Sequence, residues 1–418
     1  MDRKKQKKLI YDVVVIGGGT SGFAAGVAAA ANGAKTLIIE EQAFLGGMAT
    51  GGMISMFMGF GKDDSLPLRG VAGEMLERLK ALDACSGLNT VYLAGRQDMD
   101  VHSVTYDSYA LKYVLDEMVA SSGAEVLFHS RVIAVNMQDE KITDILVAAP
   151  EGIVSVKAAV YIDASFHGVA AAMAGVPLQP DFSETELQPG SLMFKMAPVD
   201  FPRFMALSRE EIDRLVQEGL KEEALFIDNI LARPLGYADI SFHNMSRVSV
   251  NPLTAETWSR AEMTGRRQVQ KIVTFLHQRV PGFEKARLIS TGDYLGMRDS
   301  RRFVGKYTLT GEDVLRGTCF EDAVAANEFP VDIHREQGYI FQKPAAGESY
   351  IPFRCMQCSV DNLLLTGRCI SADAAAHASL RVMITCIRLG EAAGKAAQCS
   401  IQSRTAVRDF DGTTLGRM

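Results

Sequence analysis

Three groups of residues have the types and spacing to do chemistry. The first is Gly17-Gly18-Gly19-Thr20-Ser21-Gly22, between a β-rich apolar run at 11–16 and an alanine-rich, helix-prone run at 23–32. A second buried-strand run at 35–39 ends at Glu40. Glycine at 17 permits a tight turn, at 19 it lets backbone approach a pyrophosphate, and at 22 it lets the helix pack on the strands. The free amides of a helix starting near Thr20 and Ser21 attract phosphate. Glu40, eighteen residues after Gly22, can accept bonds from a ribose diol. Strand, glycines, helix, strand and acid together predict a dinucleotide-binding βαβ unit; a packed unit without ligand is the alternative.

The next loop refines that expectation. Phe44-Leu45-Gly46-Gly47-Met48-Ala49-Thr50-Gly51-Gly52 has two glycine pairs separated by small residues. Such backbone can pass against a flat ligand, which favours FAD over NAD and makes Gly46, Gly47, Met48 and Ala49 candidate contacts. Val132, at the start of a later strand, is a further cofactor candidate.

The second group is Arg298-Asp299-Ser300-Arg301-Arg302. Residues 285–306 hold six basic side chains against Asp293 and Asp299. That excess could clamp a carboxylate, neutralise a pyrophosphate, or pair with internal acids. The third is His377, among small residues that would let a flat ring approach it. Its imidazole could orient a substrate or stabilise negative charge on a reduced ring. Ser379 could cap the following helix, and Arg381 could bind cofactor or substrate. His334 and Tyr339 are weaker pocket candidates. Cys355 and Cys358 have the spacing of a redox pair, but packing thiols are the favoured reading. No second close cysteine pair accompanies them, so no metal site is expected.

These motifs extend into a longer likeness. Residues 106–119, 123–135 and 160–175, the run GMRDSRRFVGKYTLTGED at 296–313, and IPFR, VDNLLLTGRCISADAAAHASLRVM and LGEAAGKAA within 350–397 carry it. On these residues the chain resembles the broad FAD-dependent oxidoreductase family, distantly similar to the flavoprotein subunits of fumarate reductase and succinate dehydrogenase. The resemblance implies FAD, a glycine loop passing the flavin, and a C-terminal return to the cofactor through Gly367, Arg368, Asp373 and Ser379. It implies catalytic work for Arg298 and Arg302, by analogy with enzymes that hold a dicarboxylate with arginine and histidine and deliver a proton from arginine; His377 is a catalytic candidate on its own surroundings. One departure stands out: Phe166 and His167 replace a small residue and an acid. Arg368 stands where related families often place an aspartate, as in this family's own pattern.

The elements that must position these groups follow from periodicity. Helices are expected at 71–84, 103–121, 210–230, 255–280 and 379–398, and strands at 124–129, 132–136, 142–148, 153–162 and 191–196. Gly390 and Gly394, one turn apart, predict close approach of another element. The expected class is α/β: a Rossmann-like FAD-binding domain at 8–176, an inserted mixed α+β substrate domain at 177–345, a C-terminal return at 346–400 and a short tail at 401–418.

Composition bounds the rest. The 418 residues are 47% hydrophobic and 22% charged with net charge −6, enough for a sizeable core and no encouragement for nucleic-acid binding. Seven cysteines, an odd and sparse set, point to a reducing, cytoplasmic setting. Glycines interrupt the apolar run after Lys4–Lys8, which argues against a signal peptide or stable membrane insertion. The expected function is FAD-dependent oxidation or reduction of a small organic substrate, a carboxylate being one candidate, by dehydrogenation or double-bond reduction. Alternatives are an alcohol or amine oxidoreductase and a non-catalytic FAD-binding protein. The electron partner and oligomeric state are open.

Overall fold

The first strand, Lys8–Ile16, lies inside a seven-stranded sheet because Val13, Val14 and Val15 must be covered on both faces, and all three are fully buried. The computed structural model describes residues 7–60, 69–93, 96, 98–236, 239–335 and 338–416. Lys4 and Lys5 of the basic tail lie outside these residues. Thr36–Ile39 and Glu125–Leu127 add in parallel on one side of the first strand, and Gly152–Asp163 adds in parallel on the other. This last strand is twelve residues long and serves two further partners. Its beginning pairs antiparallel with Lys141–Ala149, which in turn pairs with Arg131–Gln138. Its end pairs in parallel with Leu363–Leu365, joining the C-terminal return to the N-terminal unit.

Helix Thr20–Ala31 follows the glycine turn and packs against the long helix Met383–Ser403. A Cβ on Gly390 would sit 2.0 Å from the Ser21 carbonyl oxygen, and one on Gly394 would sit 2.3 Å from that of Ala25. The close approach expected from this glycine pair is therefore helix backbone against helix backbone. The Ser21 and Thr366 hydroxyls share a hydrogen bond of 2.8 Å across the same seam.

Three elements differ from the sequence expectation. Residues 103–105 belong to strand Asp100–Thr105, and the helix begins only at Ser108, where the Asp107 side chain accepts the Tyr109 and Ala110 amides. The helix expected to reach 230 stops at Lys221, before Glu223 turns to φ +52°. The helix expected over 379–398 is two helices, Ala374–Leu380 and Met383–Ser403, broken where Val382 is extended.

A second apolar core gathers Phe194, Phe204, Phe275, Leu276 and Phe283. It lies between an antiparallel sheet of Ala232–Pro234, Ser241–His243, Phe194–Ala197 and Arg287–Thr291 and the helices Arg209–Lys221 and Ala255–Arg279. Phe303, Leu309, Val314 and Val331 pack into the first core instead. Beyond Ser403 the chain stays packed: Val407 is buried, and a Cβ on Gly412 would meet Phe353. Among the described residues no helix is long and apolar enough to cross a membrane.

Candidate active site

A cavity of about 1060 Å³ begins at the glycine turn and reaches the second core. At its first end the three motif glycines have separate causes. Gly17 has φ +92°, and a Cβ there would lie 2.9 Å from Ser165 Cα. A Cβ on Gly22 would lie 1.8 Å from the Gly17 oxygen, so the chain's own packing requires glycine at both positions. Gly19 is different. Its φ of −61° suits any residue, and a Cβ there would meet nothing within 4 Å, yet it lines the cavity. Neither conformation nor protein packing demands glycine here; a cradle for a ligand does. The helix behind it starts without a side-chain cap, leaving its first amides available to phosphate.

Glu40 also lines the cavity. Its carboxylate accepts the Gly18 amide at 2.6 Å and the Gln42 amide at 2.8 Å. Burial pushes its pKa up, and these bonds oppose that shift. Thr20, Ser21, Gly47, Met48, Val132, Gly367 and Arg368 share the lining. Gly46 and Ala49 stand behind it: Gly46 donates to the Gly18 oxygen at 2.8 Å with φ +95°, and Ala49 is fully buried. Asp373 caps helix Ala374–Leu380 through the Ala376 amide and accepts the Gly311 amide at 2.9 Å. The Ser379 hydroxyl donates to the Phe329 carbonyl and accepts from Asn327 at 2.7 Å. Both stand behind the lining and support it. The helix break brings Val382 and Met383 to the cavity, where the uncapped start of Met383–Ser403 opens.

The other end is rich in arginine. Eight arginines and four acids line the cavity of a chain whose net charge is −6. Arg298 donates to the Pro189 carbonyl at 2.6 Å and the Ser191 hydroxyl at 3.0 Å, and approaches Asn244 at 3.5 Å. Burial, with Arg247 and Arg381 nearby, lowers its pKa to about 9, and no carboxylate among the described residues pairs with it. Arg368 donates to the Met297 carbonyl at 2.6 Å and lies over the Phe166 ring, 4.1 Å from its centroid. Desolvation and nearby arginines lower His167 to about 4; its Nδ1 meets the Ser300 hydroxyl at 2.9 Å.

Arg302 and His377 lie outside the cavity lining. Arg302 pairs with Asp181 at 2.9 Å, and its Nε stands 3.9 Å from Asp299. His377 is wholly buried, donates from Nε2 to the Arg368 carbonyl at 3.1 Å, and stands 3.7 Å from Asp299. Burial and the surrounding arginines hold it neutral. The two side chains are thus packed around Asp299 and touch the cavity only through residues they support, because the arginine-bearing loop turns Arg298 inward and Arg302 away.

Asp332 and Arg247, which were not singled out from the sequence, complete this end beside the weaker candidates His334 and Tyr339. Asp332 and His334 project from one face of strand Val331–His334, and their cross-strand partners Phe341 and Tyr339 line the same cavity. The D-x-H spacing on an alternating strand was the available signal for Asp332. Arg247 had none, standing in a loop with no pattern around it. Cys355 and Cys358 are buried, and desolvation raises both thiols, Cys358 to about 11, which disfavours thiolate chemistry. Among the described residues no group of three or more His, Cys, Asp or Glu side chains could hold a metal ion.

The ligand-facing Gly19, the uncapped helix, Glu40 and a long cavity fit FAD, and comparison with known proteins agrees. The model of the family described as FAD dependent oxidoreductase matches residues 12–417. No curated protein sequence matches the chain. Among solved structures, it is similar to a geranylgeranyl bacteriochlorophyll reductase-like protein from Thermoplasma acidophilum (TM-score 0.50, 16% identity, 95% of this chain and 80% of that one). It is also similar to p-nitrophenol 4-monooxygenase from Pseudomonas putida DLL-E4 (TM-score 0.53, 11% identity, 96% and 82%). At these identities the likeness is one of fold. The comparisons support the broad flavoenzyme resemblance without the narrower one to fumarate reductase and succinate dehydrogenase. The chain belongs to the FAD dependent oxidoreductase family and is an FAD-dependent enzyme.

Proposed function

We propose that the enzyme oxidises or reduces a small organic substrate bearing an anionic group such as a carboxylate, by dehydrogenation or double-bond reduction. The observation that carries this reading is Arg298, a part-buried cavity-lining guanidinium without a carboxylate partner among the described residues. Its bonds to Pro189 and Ser191 fix the plane of the fork, and a bound anion would relieve its repulsion from Arg247 and Arg381. FAD, when bound, supplies the electron transfer. The glycine turn, Gly47, Met48 and Gly367 would hold the cofactor, together with Arg368, which lies over the Phe166 ring. His377 and Arg302 would act as positioning residues around Asp299. The second core, with its sheet and helices, would be the substrate-facing part. The sparse cysteines extend the proposal to a cytoplasmic location.

The test is anaerobic titration of the holoenzyme with small carboxylates, saturated and unsaturated, following the visible flavin spectrum before and after reduction. Saturated acids should bleach the oxidised flavin, or unsaturated acids should reoxidise the reduced one. Arg298→Met should weaken the response about tenfold or more while FAD content stays constant. Activity with neutral alcohols or amines alone, unaffected by that substitution, would overturn the reading.

A further inference from the structure

Arg247 stands where two cavities meet. It and His334 line both the cofactor cavity and a second cavity of about 830 Å³ bounded by Gln188, Asn251 and Thr264. The Arg247 guanidinium is held by neutral groups. Its Nη1 donates to His334 Nδ1, and it lies over the Tyr339 ring, 5.0 Å from the centroid. Its Nε has no partner although that atom is buried.

The histidine is fixed in turn. His334 Nε2 donates to Asp332 Oδ2 at 3.0 Å, which leaves Nδ1 as the acceptor facing Arg247. Asp332 is anchored by Arg381, whose Nη2 reaches its carbonyl at 2.8 Å and its Oδ2 at 3.4 Å. The His334 amide donates to the Gln188 side chain at 3.0 Å. Carboxylate, imidazole and guanidinium thus form a chain. At its end is an arginine with an unmet donor and, among the described residues, no ion-paired acid, beside Arg298, which likewise has no carboxylate partner among them.

We propose that Arg247 receives the substrate's anionic group at the junction of the two cavities, with His334 and Asp332 as the positioning residues that hold it there. The proposal rests on the anionic-substrate reading above and adds the residues that would set its selectivity. His334 does not transfer a proton in this arrangement; both ring nitrogens are committed to orientation.

The experiment uses the FAD-loaded enzyme and malonate as the probe, with affinity read from the visible difference spectrum of the flavin. His334→Leu should raise the malonate Kd about tenfold or more, since it frees the guanidinium it held. His334→Gln should restore it to within about threefold, because its amide oxygen can accept from Arg247 while its amide nitrogen donates towards Asp332. In an Arg247→Met background, His334→Gln should have no further effect. That background also serves as the test if His334→Leu yields no folded holoenzyme. Wild-type affinity in Arg247→Met or His334→Leu, or equal loss in the Leu and Gln variants, overturns this inference and leaves the role of Arg298 standing. A wild type and an Arg298→Met variant that both fail to bind malonate saturably remove both readings.

Discussion

The two ends of the cofactor cavity are built by opposite means. At the glycine turn the backbone makes the surface, and residue identity is decided by space and φ: Gly17 and Gly22 by contacts within the chain, Gly19 by its open approach to the cavity. At the arginine end, side chains from separate segments converge: Arg247, Arg298, Asp332, His334 and Arg381. At the first end Gly17 and Gly22 leave no room for an added atom and Gly19 leaves room only for a ligand; the second depends on charge balance and orientation. Steric substitutions should therefore damage the first, and charge or protonation changes should damage the second.

The largest effect expected is on the frame itself. Gly390→Ala places a Cβ at 2.0 Å from a backbone oxygen, so two helices must separate. The expected cost is about 3 kcal/mol or more, read by chemical denaturation. A native-like midpoint would show that the helix seam is looser than its geometry. Gly19→Val separates cofactor binding from folding: the melting temperature should hold, while FAD affinity falls about tenfold to a hundredfold. Equal loss of both would remove the distinction between Gly19 and its neighbours.

Acid should act mainly on the other end. Burial lowers His243 and His334 to about 3 and His167 to about 4, so all three are neutral in the folded protein at pH 6.5. The unfolded chain takes up these protons first. Stability is therefore complete above the unfolded value near 6.5 and is lost as pH falls towards the folded values, by up to about 1.4 kcal/mol per unit for each histidine. His243 stacks on Phe194 in the second core, and the single tryptophan, Trp258, sits 5.3 Å from the His167 ring. Tryptophan emission between pH 7.5 and 5 should report that region loosening before far-ultraviolet circular dichroism reports loss of the frame. Simultaneous transitions would make the two cores one cooperative unit. The smallest effect expected is in Cys358→Ala: about 1 kcal/mol of stability and no change in flavin reduction kinetics.

This contrast also explains what was legible in the sequence. The βαβ unit could be read because glycine, helix start and strand lie within a few residues of one another and local rules govern them. The Gly390 and Gly394 contact could be read for the same reason. The Ser103–Ser121 helix was misjudged because Asp107 starts a helix inside a segment whose first three residues pair as a strand. The Arg298 loop was visible as a charge cluster, but whether Arg298 or Arg302 faces the cavity depends on a turn that composition does not encode. Arg247 reaches its place only through tertiary folding, and so no local pattern marked it.

The strand Gly152–Asp163 has a consequence for how the enzyme is made. Its last residues lie between the first strand and Leu363–Leu365, and Ser21 at the cofactor turn is tied to Thr366. A growing polypeptide thus exposes its glycine turn first, while residues 363–366, which complete the wall, are translated only after all of 23–362. During synthesis the nascent chain must wait, with a half-finished edge open to neighbours, until residues 363–366 leave the ribosome. Cofactor capture should accordingly be a late, post-translational event, and chains truncated before residue 363 should be recovered flavin-free and aggregated.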